Sequence, residues 1–523
     1  NIDFKGLPTS AACPAYTYQP EKDAHAVAVL RRAGAICLGK TNLDQFATGL
    51  TGVRTPYPVP RNAINADLIP GGSSSGSAVA VAQGIVSFAL GTDTAGSGRV
   101  PAAFNNIVGI KPTLGAISGN GVVPACRSLD TVSVFSLSVL DGNTIRTLLT
   151  DYDEADPFSC RINQKTSGMA DIHRIAIPDK QSIRFCGDTT QTQSFSEAID
   201  LINKLSIDII EIDFTPFFKV ADLLYEGAWV AERYAAVGSF IDEHPEQIHT
   251  TTRSIISKAK DYRAIDAFRD QYQLQTLRRE IDLLLTNIDA LCVPSVPKYF
   301  SLHDVSQDPF LPNSLLGTYT NFVNLLDYCG LTIPTTPRAD GLPGSVTLLA
   351  RAGQDSNLAA MAWRLQTALN HTPGNGDFTL AAIAKQSLRT PPENEKFLEL
   401  AVCGAHMQGL PLNGQLTELG AEHVKSGQTS ADYRLYKLAG GPPFRPGLIH
   451  SPGNGDAIKL EVWRIPKCRF ADFIKMVPAP LGIGTVTLDD GERVKGFICE
   501  GYATANAQDI THYGGWRKFM ASV

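Results

Sequence analysis

The sequence predicts an α/β protein in two parts, a large domain with a buried sheet between helices and a small β-rich domain behind it. Three observations carry this reading. Apolar runs of strand length alternate with segments of helical period up to residue 370, the polar and proline-bearing stretch RTPPENEK breaks that pattern around Thr390, and short β-like runs with few long helices follow. At 523 residues the chain also exceeds what one ordinary core encloses. The expected domains are therefore residues 1–390 and 391–523.

Taken in order, Glu21 to Ala33 has helical spacing, and Ala35 to Leu38 reads as a short strand. Ser75 to Phe88 is small and apolar on nearly every face, which predicts a buried helix. A helix over Ser194 to Lys204 precedes the strand IDIIEIDF, a long helix over Asp261 to Leu285 precedes ALCVPSVP, and SVTLLA precedes a helix over Ser356 to Asn370. Beyond the boundary, FLELAVCG, IKLEVWRIP, GTVTLDDG and RVKGFICEGYA are the strand candidates.

Composition narrows the function. A hydrophobic share of 43%, a charged share of 19% and a net charge of −6 describe a mildly acidic globular chain with no basic excess for a phosphate backbone, so nucleic acid is not an expected partner. No apolar run approaches the roughly 20 residues of a membrane helix. No basic-then-apolar leader is read at Asn1, and the expected compartment is the cytoplasm. The 10 cysteines form no CxxC pair, which argues against a disulfide framework or a zinc site, and they read as buried thiols. No metal and no cofactor are expected. The chain opens at Asn1, without methionine, in NIDFKGLPTSAACPAY, which reads as the inside of a fold, so an N-terminal segment is expected ahead of it.

Two motifs promise chemistry that their surroundings do not support. GAICLGKT, Gly34 to Thr41, satisfies the phosphate-loop pattern, yet its middle residues read as the strand rather than as a loop of amides. GSSSG, Gly72 to Gly76, nominates Ser74 as a hydrolase elbow, but the upstream RNAINADLIP is not a strand. A third arrangement is stronger. Thr92 to Ser97 follows the apolar run SFAL with small residues that let backbone N–H groups approach a substrate oxygen, as an oxyanion hole requires. No histidine lies between Ala26 and Ile172 to take a proton from a serine there.

PGGSSSGSA followed by GTDTAGSGRVPAAFNNIVGIKPT, with NIDFKGLPTSAACPA and GKTNLDQFATG, closely resembles the amidase-signature enzymes over roughly Asn1 to Leu388. The resemblance implies a central mixed twisted sheet flanked by helices. It implies that Ser97 is the nucleophile, with the amides of Thr94, Ala95, Gly96 and Ser97 as the oxyanion hole, and that Ser73, on a cis peptide bond, bridges to a lysine that acts as base when neutral. The pattern puts that lysine two residues before Asn1. Lys5, Lys40 and Lys111 occupy other positions of the pattern.

LLYEGAWVAERYAAVG, Leu223 to Gly238, reads as one helix and is similar to the substrate segment of allophanate hydrolases, in which a tyrosine and an arginine eight apart hold a small anion; Tyr225 and Arg233 match. Eight helical residues span about 12 Å of rise and roughly 80° of rotation, within reach of two long side chains. The alternative for Arg233 is a surface ion pair with Glu232. LGTYTNFVNLLDYCGLTIPT also resembles these enzymes, with Tyr319 as a lining candidate. GAHMQGLPLNGQLTELGA, YRLYKLAGGPPFRPGL, PAPLGIGTVTLDDGERVKGFICEGYA and DITHYGGW look like the carboxy-terminal domain of that group, which is similar to γ-glutamylcyclotransferase folds and is of α+β type. In the family that domain is associated with decarboxylating N-carboxycarbamate, and His406 is its candidate residue.

The resemblance thus implies hydrolysis of allophanate to ammonia and N-carboxycarbamate, the second step of urea degradation. A broader amidase and a catalytically inactive scaffold that docks a urea carboxylase are the alternatives. No AMKM biotin-attachment motif is present, so a functionally coupled urea carboxylase is expected as a separate protein. A two-fold homodimer is the expected assembly.

Overall fold

The computed structural model describes residues 1–162, 172–369, 371–376 and 397–523, with the Cys468 side chain left aside. The chain divides into two compact units, Asn1–Ser387 and Leu388–Val523. The boundary expected at Thr390 lies outside the described residues.

The first unit is built on an 8-stranded sheet. Its strands are β1 (Phe88–Asp93), β2 (Val108–Lys111), β3 (Thr131–Ser136), β4 (Arg174–Pro178), β5 (Asp208–Ile212), β6 (Ala290–Pro294), β7 (Tyr328–Thr335) and β8 (Gly344–Arg351). They run in the order β1-β3-β2-β7-β8-β6-β4-β5. Only the β4 pairings with β5 and β6 are parallel, so the sheet is mixed.

Side chains one residue apart on a strand point to opposite faces, and the two cores of this unit follow that rule. Ile175, Cys292, Leu348 and Ala350 pack on one face among the helices His25–Arg32, Val139–Leu149 and Asp355–Leu369. Ala176, Leu291, Val293 and Leu349 pack on the other with the helices Thr215–Glu226 and Ala264–Leu284. Burial on both faces explains why β6 and β7 read as continuous apolar runs rather than as alternating ones.

Four local expectations change. Ala35 to Leu38 forms no strand; it has no regular secondary structure, pairs with no described strand, and leaves Ile36 86% and Leu38 69% exposed. The helix expected from Ser75 to Phe88 ends at Ala82, because the chain turns at Gly84 and enters β1 at Phe88. The helix expected from Leu223 to Gly238 is two helices, Thr215–Glu226 and Val230–Glu243. Gly227 is extended at the break, and a Cβ there would sit 2.6 Å from Asp270, whose carboxylate accepts from the Ala228 N–H at 2.6 Å. Finally, not every thiol is buried: Cys37, Cys160 and Cys186 are exposed.

The second unit holds a 5-stranded sheet and a 3-stranded sheet. Its strands are β9 (Phe397–Val402), β10 (Glu422–Gln428), β11 (Tyr433–Lys437), β12 (Pro446–His450), β13 (Lys459–Pro466), β14 (Leu481–Thr487), β15 (Arg493–Cys499) and β16 (Gln508–Asp509). The order is β10-β13-β9-β15-β14 in one sheet and β12-β11-β16 in the other. The helix Lys467–Lys475 packs on the larger sheet through Phe473, beside Leu400, Trp463 and Phe497. Among the described residues no helix is long and apolar enough to cross a membrane.

Candidate active site

Strand β1 ends at Asp93, and the loop after it is wound around that carboxylate. Asp93 accepts from the Gly96 and Gly98 amides, both at 2.9 Å, and from Arg99 Nε at 2.9 Å and Nη2 at 2.8 Å. Arg99 continues to Thr320 O at 3.1 Å and Asn324 Oδ1 at 3.0 Å, and Asn324 Nδ2 returns to the Asp93 and Leu129 carbonyls. Both charged side chains are fully buried. Such a pair is tolerable only when its remaining hydrogen-bonding capacity is met, as it is here. Burial opposes ionisation of Asp93, but Arg99 beside it holds the carboxyl below the usual carboxylate range.

This winding decides which amides are free. The Gly96 N–H is spent on Asp93, so of the four amides implied for an oxyanion hole it is the one already committed. Among the described residues the Thr94, Ala95 and Ser97 amides have no acceptor. Gly96 has φ +138, and a Cβ there would lie 2.5 Å from Thr320 Oγ1, so only glycine fits. The Thr94 hydroxyl donates to Asp130, which also accepts from the Ala125 and Cys126 amides.

The serine-rich turn meets the same region through a third loop, residues 44–54. Ser73 is fully buried, its peptide bond with Gly72 is cis, and its carbonyl accepts from Asp44 N at 3.0 Å. The Ser73 hydroxyl has no hydrogen-bond partner among the described residues. The Gly72 N–H donates to Leu50 O at 2.8 Å, and the Asp44 carboxylate accepts from the Gly52 and Arg54 amides. From the same loop the Gly49 carbonyl faces Ser97 Oγ at 3.5 Å. Both serines therefore converge on one short loop, each more than 90% buried. Ser74 is different: its hydroxyl donates to Thr92 O and accepts from Thr92 N, both at 3.1 Å, which ties the turn to β1.

The break at Gly227 brings Arg233 back against Tyr225, with Nη2 to Oη at 3.1 Å and the guanidinium carbon 5.3 Å from the ring centre. Arg233 is 1% exposed, and Nη1 reaches Thr48 Oγ1 at 3.1 Å. It does not pair with Glu232, whose carboxylate accepts instead from the Ser128 amide and hydroxyl. Burial works against the Arg233 charge, but Tyr225, Cys126, Asp130 and Glu232 outweigh it and hold the group above its ordinary pKa. Thr48 precedes Gly49, so this arginine is joined to the partner of Ser97 through adjacent residues of one loop.

Other candidates fall elsewhere. The Tyr319 hydroxyl is spent on the Arg184 backbone, accepting at 2.6 Å and donating at 2.9 Å, and its ring is core. Lys40 donates to Pro8 O and Thr9 Oγ1, and Lys111 to the Pro112 and Tyr328 carbonyls, so neither faces the serines or a phosphate loop. A cavity of about 290 Å³ is lined by Thr92, Arg127, Asp130 and Asp156 but by none of Ser73, Ser97, Tyr225 or Arg233. In the second unit, His406 Nε2 donates to Gln415 Oε1 at 2.9 Å, while its ring stacks on Phe497 and meets the edge of Phe473. Burial pushes its pKa down, which favours the neutral imidazole. The residues that sequence reasoning missed are Thr48, Gly49, Asp93, Arg99 and Asp130. The signal for Asp93 was its place directly ahead of a small-residue loop whose amides need an acceptor.

Comparison with known proteins identifies the family. The amidase family profile matches residues 1–359, and the allophanate hydrolase C-terminal domain profile matches residues 398–521. The solved allophanate hydrolase of Kluyveromyces lactis is 43% identical, with a TM-score of 0.70 over 100% of this chain and 87% of that one. The chain belongs to the allophanate hydrolases of the amidase family. Among curated proteins, the urea amidolyase of Saccharomyces cerevisiae is 45% identical over 99% of this chain. The chain spans 29% of that relative's length and 29% of the Lachancea kluyveri urea amidolyase. A glutamyl-tRNA(Gln) amidotransferase subunit from Streptococcus thermophilus is 32% identical over 67% of this chain and 77% of its own.

Proposed function

We propose that this chain hydrolyses allophanate, a urea that carries a carboxylate on one nitrogen and a free carboxamide at the other end, in urea degradation, through an acyl-enzyme on Ser97. Ser97 Oγ attacks the carboxamide carbon. Its proton passes to Ser73, whose buried hydroxyl is otherwise unpartnered among the described residues, and onward to the lysine that the family resemblance implies. The amides of Thr94, Ala95 and Ser97 receive the oxyanion, while Gly96 shapes the loop instead of donating. The C–N bond breaks, the proton returns to the nitrogen, and ammonia leaves. Water then cleaves the ester to N-carboxycarbamate, which ends as carbon dioxide and ammonia. In the second unit His406, whose Nε2 is taken by Gln415, is the candidate for the decarboxylation.

The observation that carries this reading is the convergence of Ser97, Ser73 and the Arg233–Tyr225 pair on the loop 44–54. Arg233 grips the substrate carboxylate and Tyr225 sets the guanidinium plane, which holds the carboxamide carbon over Ser97. Residues 1–390 are the amidase domain of this scheme and 391–523 its second catalytic domain. Coupling to urea carboxylase, a homodimeric assembly and a cytoplasmic site of action belong to the same proposal. The matching relatives are urea amidolyases in which this region is 29% of a longer chain, which supports the coupling.

Arg233→Ala tests the substrate class. We expect KM for allophanate to rise by roughly a hundredfold, as loss of two charge-assisted hydrogen bonds implies, with a much smaller effect on a neutral amide such as propionamide. Equal losses on both would remove the carboxylate clamp.

A further inference from the structure

Arg233 has five N–H groups. One on Nη1 is held by Thr48 Oγ1 and one on Nη2 by Tyr225 Oη, each at 3.1 Å, and the buried Nε has no partner among the described residues. Two of five are spent, which leaves about three, enough for both oxygens of a carboxylate. Which edge of the guanidinium faces the substrate is therefore decided by the two nitrogens that are held.

Thr48 is unusually well placed to decide it. It is 1% exposed, and its hydroxyl proton goes to Phe46 O at 3.1 Å, so toward Arg233 its oxygen can only accept. Its carbonyl accepts from Arg54 Nη1 at 3.1 Å. Arg54 is itself pinned, with Nη2 on Pro309 O at 3.0 Å and its backbone N–H on Asp44 Oδ1 at 2.8 Å. The next residue, Gly49, offers its carbonyl to Ser97 Oγ at 3.5 Å. Adjacent residues of a loop anchored on both sides thus touch the carboxylate clamp and the nucleophile.

The geometry points to Thr48 as a positioning residue that sets selectivity for anionic amides, by locking the Arg233 guanidinium at a fixed distance from Ser97. This rests on the Arg233 clamp proposed above. Thr48 does not touch the reacting atoms; together with Tyr225 on the other nitrogen, its hydroxyl fixes the plane in which Arg233 presents its remaining N–H groups.

The test uses the whole protein with malonamate, in which a methylene group replaces the bridging N–H of allophanate, and with propionamide, which lacks the carboxylate. The readout is the ratio of kcat/KM on malonamate to kcat/KM on propionamide. Thr48→Val keeps the shape and removes the acceptor, and is expected to lower that ratio roughly tenfold, mainly through KM for malonamate. Thr48→Ser keeps the hydroxyl and is expected to hold the ratio within about threefold of the parent. Calorimetric binding of malonate supplies the same comparison should turnover of a variant fall below detection. An unchanged ratio in Thr48→Val, or equal loss on both substrates, overturns the proposal. Arg233→Ala separates the two failures: if it also leaves the ratio unchanged, the clamp itself is wrong, and if it collapses the ratio while Thr48→Val does not, only the role of Thr48 falls.

Discussion

The serine loops of the first unit and the surroundings of His406 in the second treat buried polar atoms in opposite ways. Around Ser97 lie a buried ion pair, a glycine that admits no Cβ and, among the described residues, three amides without an acceptor and a buried Ser73 hydroxyl without a partner. Around His406 the polar nitrogen is satisfied by Gln415 and the ring is packed between two phenylalanines, as an aromatic core residue would be. Unsatisfied buried polarity costs free energy, so the first arrangement calls for a substrate to complete it, whereas the second offers one only the imidazole nitrogen that Gln415 does not take.

The largest expected effect that would break this comparison comes from Asp93→Asn. The substitution leaves Arg99 buried without its charge, and we expect a stability loss of about 3–5 kcal/mol by urea titration together with loss of ammonia release. Because the folded Asp93 pKa is depressed, its contribution is fully present above the unfolded carboxyl value of about 3.9 and is lost as pH falls through the folded value. Asp44 and Asp130, which burial pushes upward, run the other way and lose stability as pH rises. Subtracting the variant profile from the parent isolates the Asp93 part. A difference that grows toward acid would contradict the assignment.

A smaller effect sharpens the other side. His406→Ala is expected to lower the stability of the second unit by roughly 1–3 kcal/mol through lost packing, to leave release of the first ammonia intact, and to slow release of carbon dioxide. Unchanged carbon dioxide release, followed by a coupled dye assay, would leave His406 a core residue only.

What was legible in the sequence follows the same division. Elements whose burial pattern is local could be read from period and run length, as with Ala290–Pro294 and with the helix expected over Ser194 to Lys204, which the structure starts earlier, at Thr189. Ala35 to Leu38 could not, since apolar character gives β tendency but a ladder needs a neighbour supplied by the rest of the chain. The break between Tyr225 and Arg233 falls at Gly227, yet the helical spacing runs on through it; the groups that bond the chain there, the Asp270 carboxylate on the Ala228 N–H and the Tyr262 hydroxyl on Glu226 O, come from about forty residues further along. Within the site, Ser73 and Ser97 stood out through the resemblance to the amidase-signature motifs, since a glycine-serine loop taken alone reads as a turn. Thr48 and Asp130 did not, because their roles depend on side chains met across the fold.

The central claim is that Ser97, not Ser74, becomes acylated. The most direct measurement is peptide mass analysis of protein quenched shortly after mixing with malonamate. We expect the acyl adduct on the Ser97 peptide, its absence from Ser97→Ala along with ammonia release, and its persistence in Ser74→Ala. An adduct on any other residue, or continued turnover by Ser97→Ala, would contradict the account.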